Sequence, residues 1–268
     1  MGINKTGDTE GLKVADGLPD STRFDIITAK YAPQSFGDLK ELARRADTTR
    51  TLASTAVRQT ESVIQQDQNL IHKRLETFRG DARKHVLNAE MERHSEWKRK
   101  HLNSSRESRW EPLKELQALK EGAAAVKGFY AQPRNVLLSY KAGSQRRANI
   151  ENSLKGLPKS AIAAMGDRAV IEKDSEMAAA ILAVETGKAR EDRAIRELAQ
   201  FAEIFMGAEC ARALELIKTV EESFASAYAD VKRLENGGHE SPTEKLARGI
   251  RQGQMRTTEQ ILENEGAE

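Results

Sequence analysis

Between Ala189 and Leu234 the apolar residues keep a helical period with no proline to interrupt them, the longest such run in the chain. From Cys210 onward, Cys210, Ile217, Phe224 and Val231 form one row at seven-residue spacing, and Ala213, Val220, Ala227 and Leu234 form the next. Two rows so placed are the a and d positions of a heptad seam, the pattern of helices that lie side by side. Upstream, Ile195, Leu198, Ala202 and Phe205 continue the helix, but they meet the downstream rows only if one residue is added to the count. The phase therefore slips at Gly207, which changes the supercoil locally without ending the helix. A helical glycine costs about 1 kcal/mol against alanine, and close approach of another helix is the reason expected for it.

A second periodic run fills residues 36–110; from Asp38 to Arg109 it holds no proline and a single glycine, Gly80. Val57, Ile64, Ile71 and Phe78 recur every seven residues, flanked by Ala56, Val63 and Leu70, while the complementary positions are Thr60, Asp67 and Arg74. This predicts one long amphipathic helix with a one-sided apolar stripe and a basic distal part. Pro112 resets the chain. Leu113, Leu116, Ala123, Val126 and Tyr130 then mark a helix ending near Pro133, residues 135–154 another closed by Gly156 and Pro158, and residues 161–185 an Ala-rich one closed by Gly187. The seam helix, near 189–235, stops at Asn236, Gly237 and Gly238.

The two ends differ. Residues 1–35 carry glycines at 2, 7, 11 and 17 and prolines at 19 and 33, which predicts a flexible arm with one apolar patch, Phe24, Ile26, Ile27 and Tyr31. Residues 239–268 read as a short helix on a Gly-Gly joint, started by Ser241, Pro242, Thr243 and Glu244 as a capping box. The expected fold is all-α: an elongated helical bundle with long coiled-coil-like helices, a bundle over 111–238, and an N-terminal arm.

Composition agrees with long helices. Charged residues make up 31% of the 268 and aromatics 5%, the balance of amphipathic helices with narrow apolar stripes. The net charge of +2 hides an uneven distribution. Residues 72–110 carry eleven basic and six acidic side chains (+5), residues 134–159 six and one (+5), and residues 160–235 ten and fifteen (−5), so opposite stretches attract. One cysteine, Cys210, rules out an intrachain disulfide framework and fits a reducing compartment. No run approaches the ~20 apolar residues of a membrane span, so a cytoplasmic place, or a virus particle assembled there, is expected.

Candidate chemistry is sparse. His72, His85, His94 and His101 fall 13, 9 and 7 residues apart, so no two share the one-turn spacing that grips a metal. Phosphate-loop, nucleophile-elbow and paired-histidine metal motifs are missing. Acidic and basic residues alternate, as from Lys188 to Arg193, in the manner of solvated helix faces. No catalytic residue, cofactor, metal or small-molecule substrate is expected. The feature that points to a ligand is the basic stretch: Arg79, Arg83, Lys84, Lys98, Arg99 and Lys100, joined by Arg93, Arg146 and Arg147, suit phosphate backbones. An acidic protein face is the rival partner.

Two functions follow. The first is a non-enzymatic structural protein that builds coiled-coil contacts with itself and with other subunits of a larger complex, in the style of scaffolding or virion components. The second is a nucleic-acid-binding structural protein using the basic helix.

Overall fold

A computed structural model describes residues 33–237, 246, 249, 250, 253 and 256–263. Among the described residues the chain is helical and contains no strand. Its long helices are α1 (Phe36–Leu75), α2 (Gly80–Ser104), α3 (Arg106–Tyr130) and α8 (Leu198–Glu235). Shorter ones are α4 (Pro133–Ser139), α5 (Gln145–Leu154), α6 (Lys159–Glu172), α7 (Ser175–Thr186) and α9 (Thr258–Glu263), with a 3-10 turn at Arg190–Asp192. The expected arm over 1–35, with its patch, and the Ser241 capping box lie almost wholly outside the described residues. No described helix is long and apolar enough to cross a membrane.

The chain divides into two compact units. One comprises Met1–Leu42, Glu121–Lys218 and Ile261–Glu268; the other Ala43–Lys120 and Thr219–Gln260.

In the first unit α7 is the central helix, packed by α4, α5 and α6. Ala178, Ala179, Ala180, Ile181 and Leu182 are all fully buried, so this helix is apolar around most of its girdle. The sequence reads residues 161–185 as one helix, but it breaks between α6 and α7. Lys173 turns left-handed (φ 53°) and Asp174 caps α7 by accepting the Met177 N–H at 3.0 Å. The helix expected over 135–154 breaks likewise, at Lys141 (φ 47°), with Ser144 capping α5 through the Arg147 N–H at 3.0 Å. Arg147 itself is buried and donates to the carbonyls of Leu138 (2.8 Å) and Tyr140 (2.7 Å), which α4 leaves unpaired. The charge attraction between 134–159 and 160–235 takes the form of specific pairs: Arg146 with Asp174 and Glu176, Lys141 with Glu176, and Lys159 with Asp192.

The seam helix begins at Leu198, not at Ala189. Glu185, at 0% exposure, accepts the backbone N–H groups of Ala194 and Ile195 and the Lys188 ammonium at 2.7 Å. That pull holds residues 187–197 in an irregular strap. Ile195 then reaches Gly166, where an added Cβ would stand 3.0 Å from its Cδ1. The Lys188 to Arg193 charges are thus not a helix face: Arg193 donates to the carbonyls of Glu185 and Lys188, both at 3.1 Å.

In the second unit, the single helix expected over 36–110 is a hairpin followed by the start of α3. Gly80 (φ 61°) makes the bend after Thr77 has closed α1 through the Arg74 carbonyl at 2.7 Å. Across the hairpin Asp67 meets His94 Nδ1 at 2.6 Å and Arg74 meets Glu90 at 3.4 Å. Thr60 and Asp67, which look on paper like gaps in the stripe, face inward. Thr60 is buried with its hydroxyl on the Ala56 carbonyl. Pro112 resets nothing: it lies inside α3, costing one backbone bond that tertiary packing outweighs. α9 opens with a capping box of its own, Thr257 and Gln260 exchanging backbone-to-side-chain bonds at 2.9 and 3.3 Å. It is tied to α1 by the Thr258 N–H on Asp47 (2.8 Å).

Gly80→Ala is expected to cost about 1 kcal/mol in urea unfolding, because nothing lies within 4 Å of the new Cβ and only the left-handed backbone resists. Glu185→Ala, which strands two backbone donors and an ammonium, is expected to cost about 3 kcal/mol in the same measurement.

Candidate functional site

Three features could carry a function: the α8 seam, the outward face of α1 and the basic surface near the α2–α3 junction.

The seam is closed within one chain. Cys210, Ala213, Ile217, Val220, Ala227, Val231 and Leu234 are all buried, and Phe224 is half-buried beneath the Lys120 ammonium, 4.7 Å from its ring centre. Within the second unit, Arg233 pairs with Glu61 at 2.5 Å and Trp110 donates its indole N–H to Glu235 at 2.7 Å, binding α8 to α1 and α3. Gly207 has a different cause from the one the phase slip suggests. The three atoms nearest to a Cβ there all belong to Glu203, one turn back on α8, so no neighbouring helix requires the glycine. The slip is real, however: one buried row steps by four from Leu198 through Ala202 and Met206 to Cys210, with Phe201 buried beside it, before the heptad alternation begins. Burial pushes the Cys210 thiol up to about 12, helped by the nearby Glu209 and Glu203 carboxylates. It packs as a small apolar residue.

α1 carries two rows, and they part company. Val57, Ile64 and Ile71 are buried, whereas Val63 and Leu70 of the flanking row remain 39% and 52% exposed, and Leu52, one turn before Ala56, 57%. Phe78, expected to extend the inner row, falls beyond the end of α1 and is exposed. Of the residues exposed between Thr51 and Leu70, Arg58 alone is charged; the others are Thr, Ser, Gln, Asn and apolar side chains.

The six basic candidates do not form one surface. Arg79 precedes α2 in the bend, and Arg83 and Lys84 start the helix, Lys84 within 3.6 Å of Asp81. Lys98, Arg99 and Lys100 are consecutive helical residues, so they point about 100° apart and Lys100 turns away from Lys98. Of the additional candidates, Arg146 and Arg147 are consumed by contacts inside the first unit, and Arg93 pairs with Glu90 at 2.7 Å.

Lys98 and Arg99 do share a place with two residues the sequence reading leaves out. Together with Ser95, Leu102, Asn103, Arg106, Arg109 and Glu235 they line a hollow of about 450 Å³. Lys98, Arg99 and Arg106 make no ion pair among the described residues. Arg106 lies over the Trp110 ring, 5.5 Å from its centre. Arg109 is 1% exposed; it donates to Ser105 Oγ (2.5 Å) and the Leu102 carbonyl (2.7 Å), fastening the end of α2 to α3, while its Nε has no partner. Burial lowers its pKa; the Arg106 charge adds to this and Glu235 opposes it. Glu235 is raised by burial, but hydrogen bonds from Trp110 and Lys232 and the charges of Lys232 and Arg106 outweigh that, leaving it below the usual carboxylate range and ionised. The sequence signal for this group is the three- and four-residue step from Ser95 through Lys98, Leu102 and Arg106 to Arg109, which crosses the α2–α3 break without losing phase.

Among the described residues no three His, Cys, Asp or Glu side chains converge as a metal site. Compared with protein-family models, with curated proteins and with solved structures, the chain matches none.

The Cys210 thiol is expected to resist iodoacetamide in the folded protein at pH 8.5 to 9.5, where an ordinary thiol near 9.0 is substantially ionised, and to react fully in urea. Because the folded state keeps the proton longer, stability falls as pH rises from about 9 toward 12. Gly207→Ala is expected to raise stability by up to about 1 kcal/mol, since only the mobile end of Glu203 must give way; a loss in thermal melts would indicate a helix packed there.

Proposed function

We propose that the protein is a non-enzymatic helical assembly component that joins further subunits, its own copies first, through the outward face of α1. One observation carries this reading: in a chain whose residues are 31% charged, the exposed side of α1 from Thr51 to Leu70 holds one charge, Arg58, beside Leu52, Val63 and Leu70, which fall on one helix side at steps of eleven and seven. Depletion of charge is the compositional mark of an interface core. A face with one charge can also meet a second copy of itself, since a two-fold contact that keeps the two Arg58 side chains apart opposes no like charges. The α8 seam is already covered in one chain, so the contact between chains is assigned to α1.

The reading as non-enzymatic is supported by the work that buried ionisable groups already do. Glu185 satisfies backbone N–H groups of the strap before α8, and Arg147 and Arg109 satisfy carbonyls at helix ends, which leaves their charge committed to the fold.

Light scattering after size exclusion is expected to show a mass that rises with concentration toward a dimer or larger species. Val63→Glu with Leu70→Glu should return it to the monomer mass with helical circular dichroism unchanged. A wild-type monomer throughout the micromolar range, or an oligomer indifferent to both substitutions, refutes the proposal.

A further inference from the structure

We infer that the hollow at the α2–α3 junction is a phosphate-binding site, whose ligand is either a free polyphosphate or the backbone phosphates of a nucleic-acid strand. None of its residues belongs to the α1 face, so the inference stands apart from the assembly reading.

Like charges are not gathered without cause. Lys98, Arg99 and Arg106 come from two successive helices onto one concave surface, and no carboxylate among the described residues pairs with any of them. In a protein with 41 acidic side chains available, three cations that form no ion pair among the described residues repel each other around one hollow, offset only in part by the Glu235 charge that Arg106 feels. The acid on the rim, Glu235, is held by Trp110 and Lys232. Behind the three cations stands the buried Arg109, whose positive charge adds to the field in a setting water screens poorly. Ser95 and Asn103 add side-chain donors beside the guanidinium groups, and the Glu235 carboxylate is the one anion in the lining.

The chemistry selects the ligand. A terminal phosphate carries about −1.5 to −2 charge with three acceptor oxygens, a backbone phosphodiester one charge with two free oxygens, and guanidinium forks bind either at two oxygens. A polyphosphate or a strand brings more than one negative charge to the three cations, which a lone carboxylate does not. A volume of about 450 Å³ admits a pyrophosphate or one nucleotide unit of a strand. Arg109, tied to Ser105 and the Leu102 carbonyl, is a positioning residue: it fixes the angle at which α3 presents Arg106.

Titration calorimetry on the full chain tests this with three ligands: pyrophosphate, a single-stranded oligonucleotide and hexaglutamate. Pyrophosphate is expected to bind, with affinity falling about tenfold for each of Arg99→Gln and Arg106→Gln, while Lys84→Gln, on the same helix but outside the hollow, changes nothing. Tighter binding by the oligonucleotide, weakening steeply between about 50 and 200 mM salt, assigns the source to nucleic acid; pyrophosphate binding alone assigns it to a free polyphosphate. Circular dichroism confirms that the exposed-site variants fold. No binding by either phosphate ligand, equal binding by hexaglutamate, or an equal loss in Lys84→Gln overturns the inference.

Discussion

Every helix that stops inside a protein strands backbone donors and acceptors, and this chain stops often. Between Leu75 and Leu198 the path breaks repeatedly, and at several of the breaks a polar side chain takes up orphaned groups. Thr77 closes α1, Ser144 and Asp174 cap α5 and α7, Arg147 covers the carbonyls of α4, and Glu185 gathers two backbone N–H groups of the strap before α8. A buried ion without such partners costs several kcal/mol. The charged residues that look like decoration in the sequence are therefore what allows short helices to pack closely around α7.

That dependence explains which parts of the fold can be read from the residues. The seam from Cys210 to Leu234 is legible because apolar periodicity reports burial directly, and all but Phe224 of its rows are buried. The breaks are not, because a buried carboxylate and a solvated one are written with the same letter. Glu185 and Lys188 have the spacing of an exposed helical pair, and Thr60 and Asp67 resemble gaps in a stripe although both turn inward. Left-handed Lys141 and Lys173 give no signal, since lysine does not favour that conformation. Gly80 was visible as the one glycine in its run, but only the pairing of Asp67 with His94 marks it as a hairpin bend.

The basic site follows the same logic. Counting charge along the sequence selects Lys98 and Arg99 and also Lys100, which shares their neighbourhood in the chain but not in space. Arg106 and Arg109 belong to the same positive stretch, but they stand singly among neutral and acidic neighbours, so a search for adjacent cations passes over them. Their step of three and four residues from Ser95 is regular, and only the hollow shows that it gathers them with Lys98. For α1, the flanking row was legible as a ridge; that it would stay uncovered while the inner row is filled depends on which helices fold back on it.

The concealment of Cys210 has a practical consequence. The chain has one sulfhydryl, and it sits within a tightly packed helix row at 4% exposure. A cysteine introduced at an outward position would be the single addressable thiol on the molecule, so a spin label or fluorophore could be attached there without first removing the native one. Distances within the helical framework are thereby open to spectroscopic rulers in the otherwise unaltered protein.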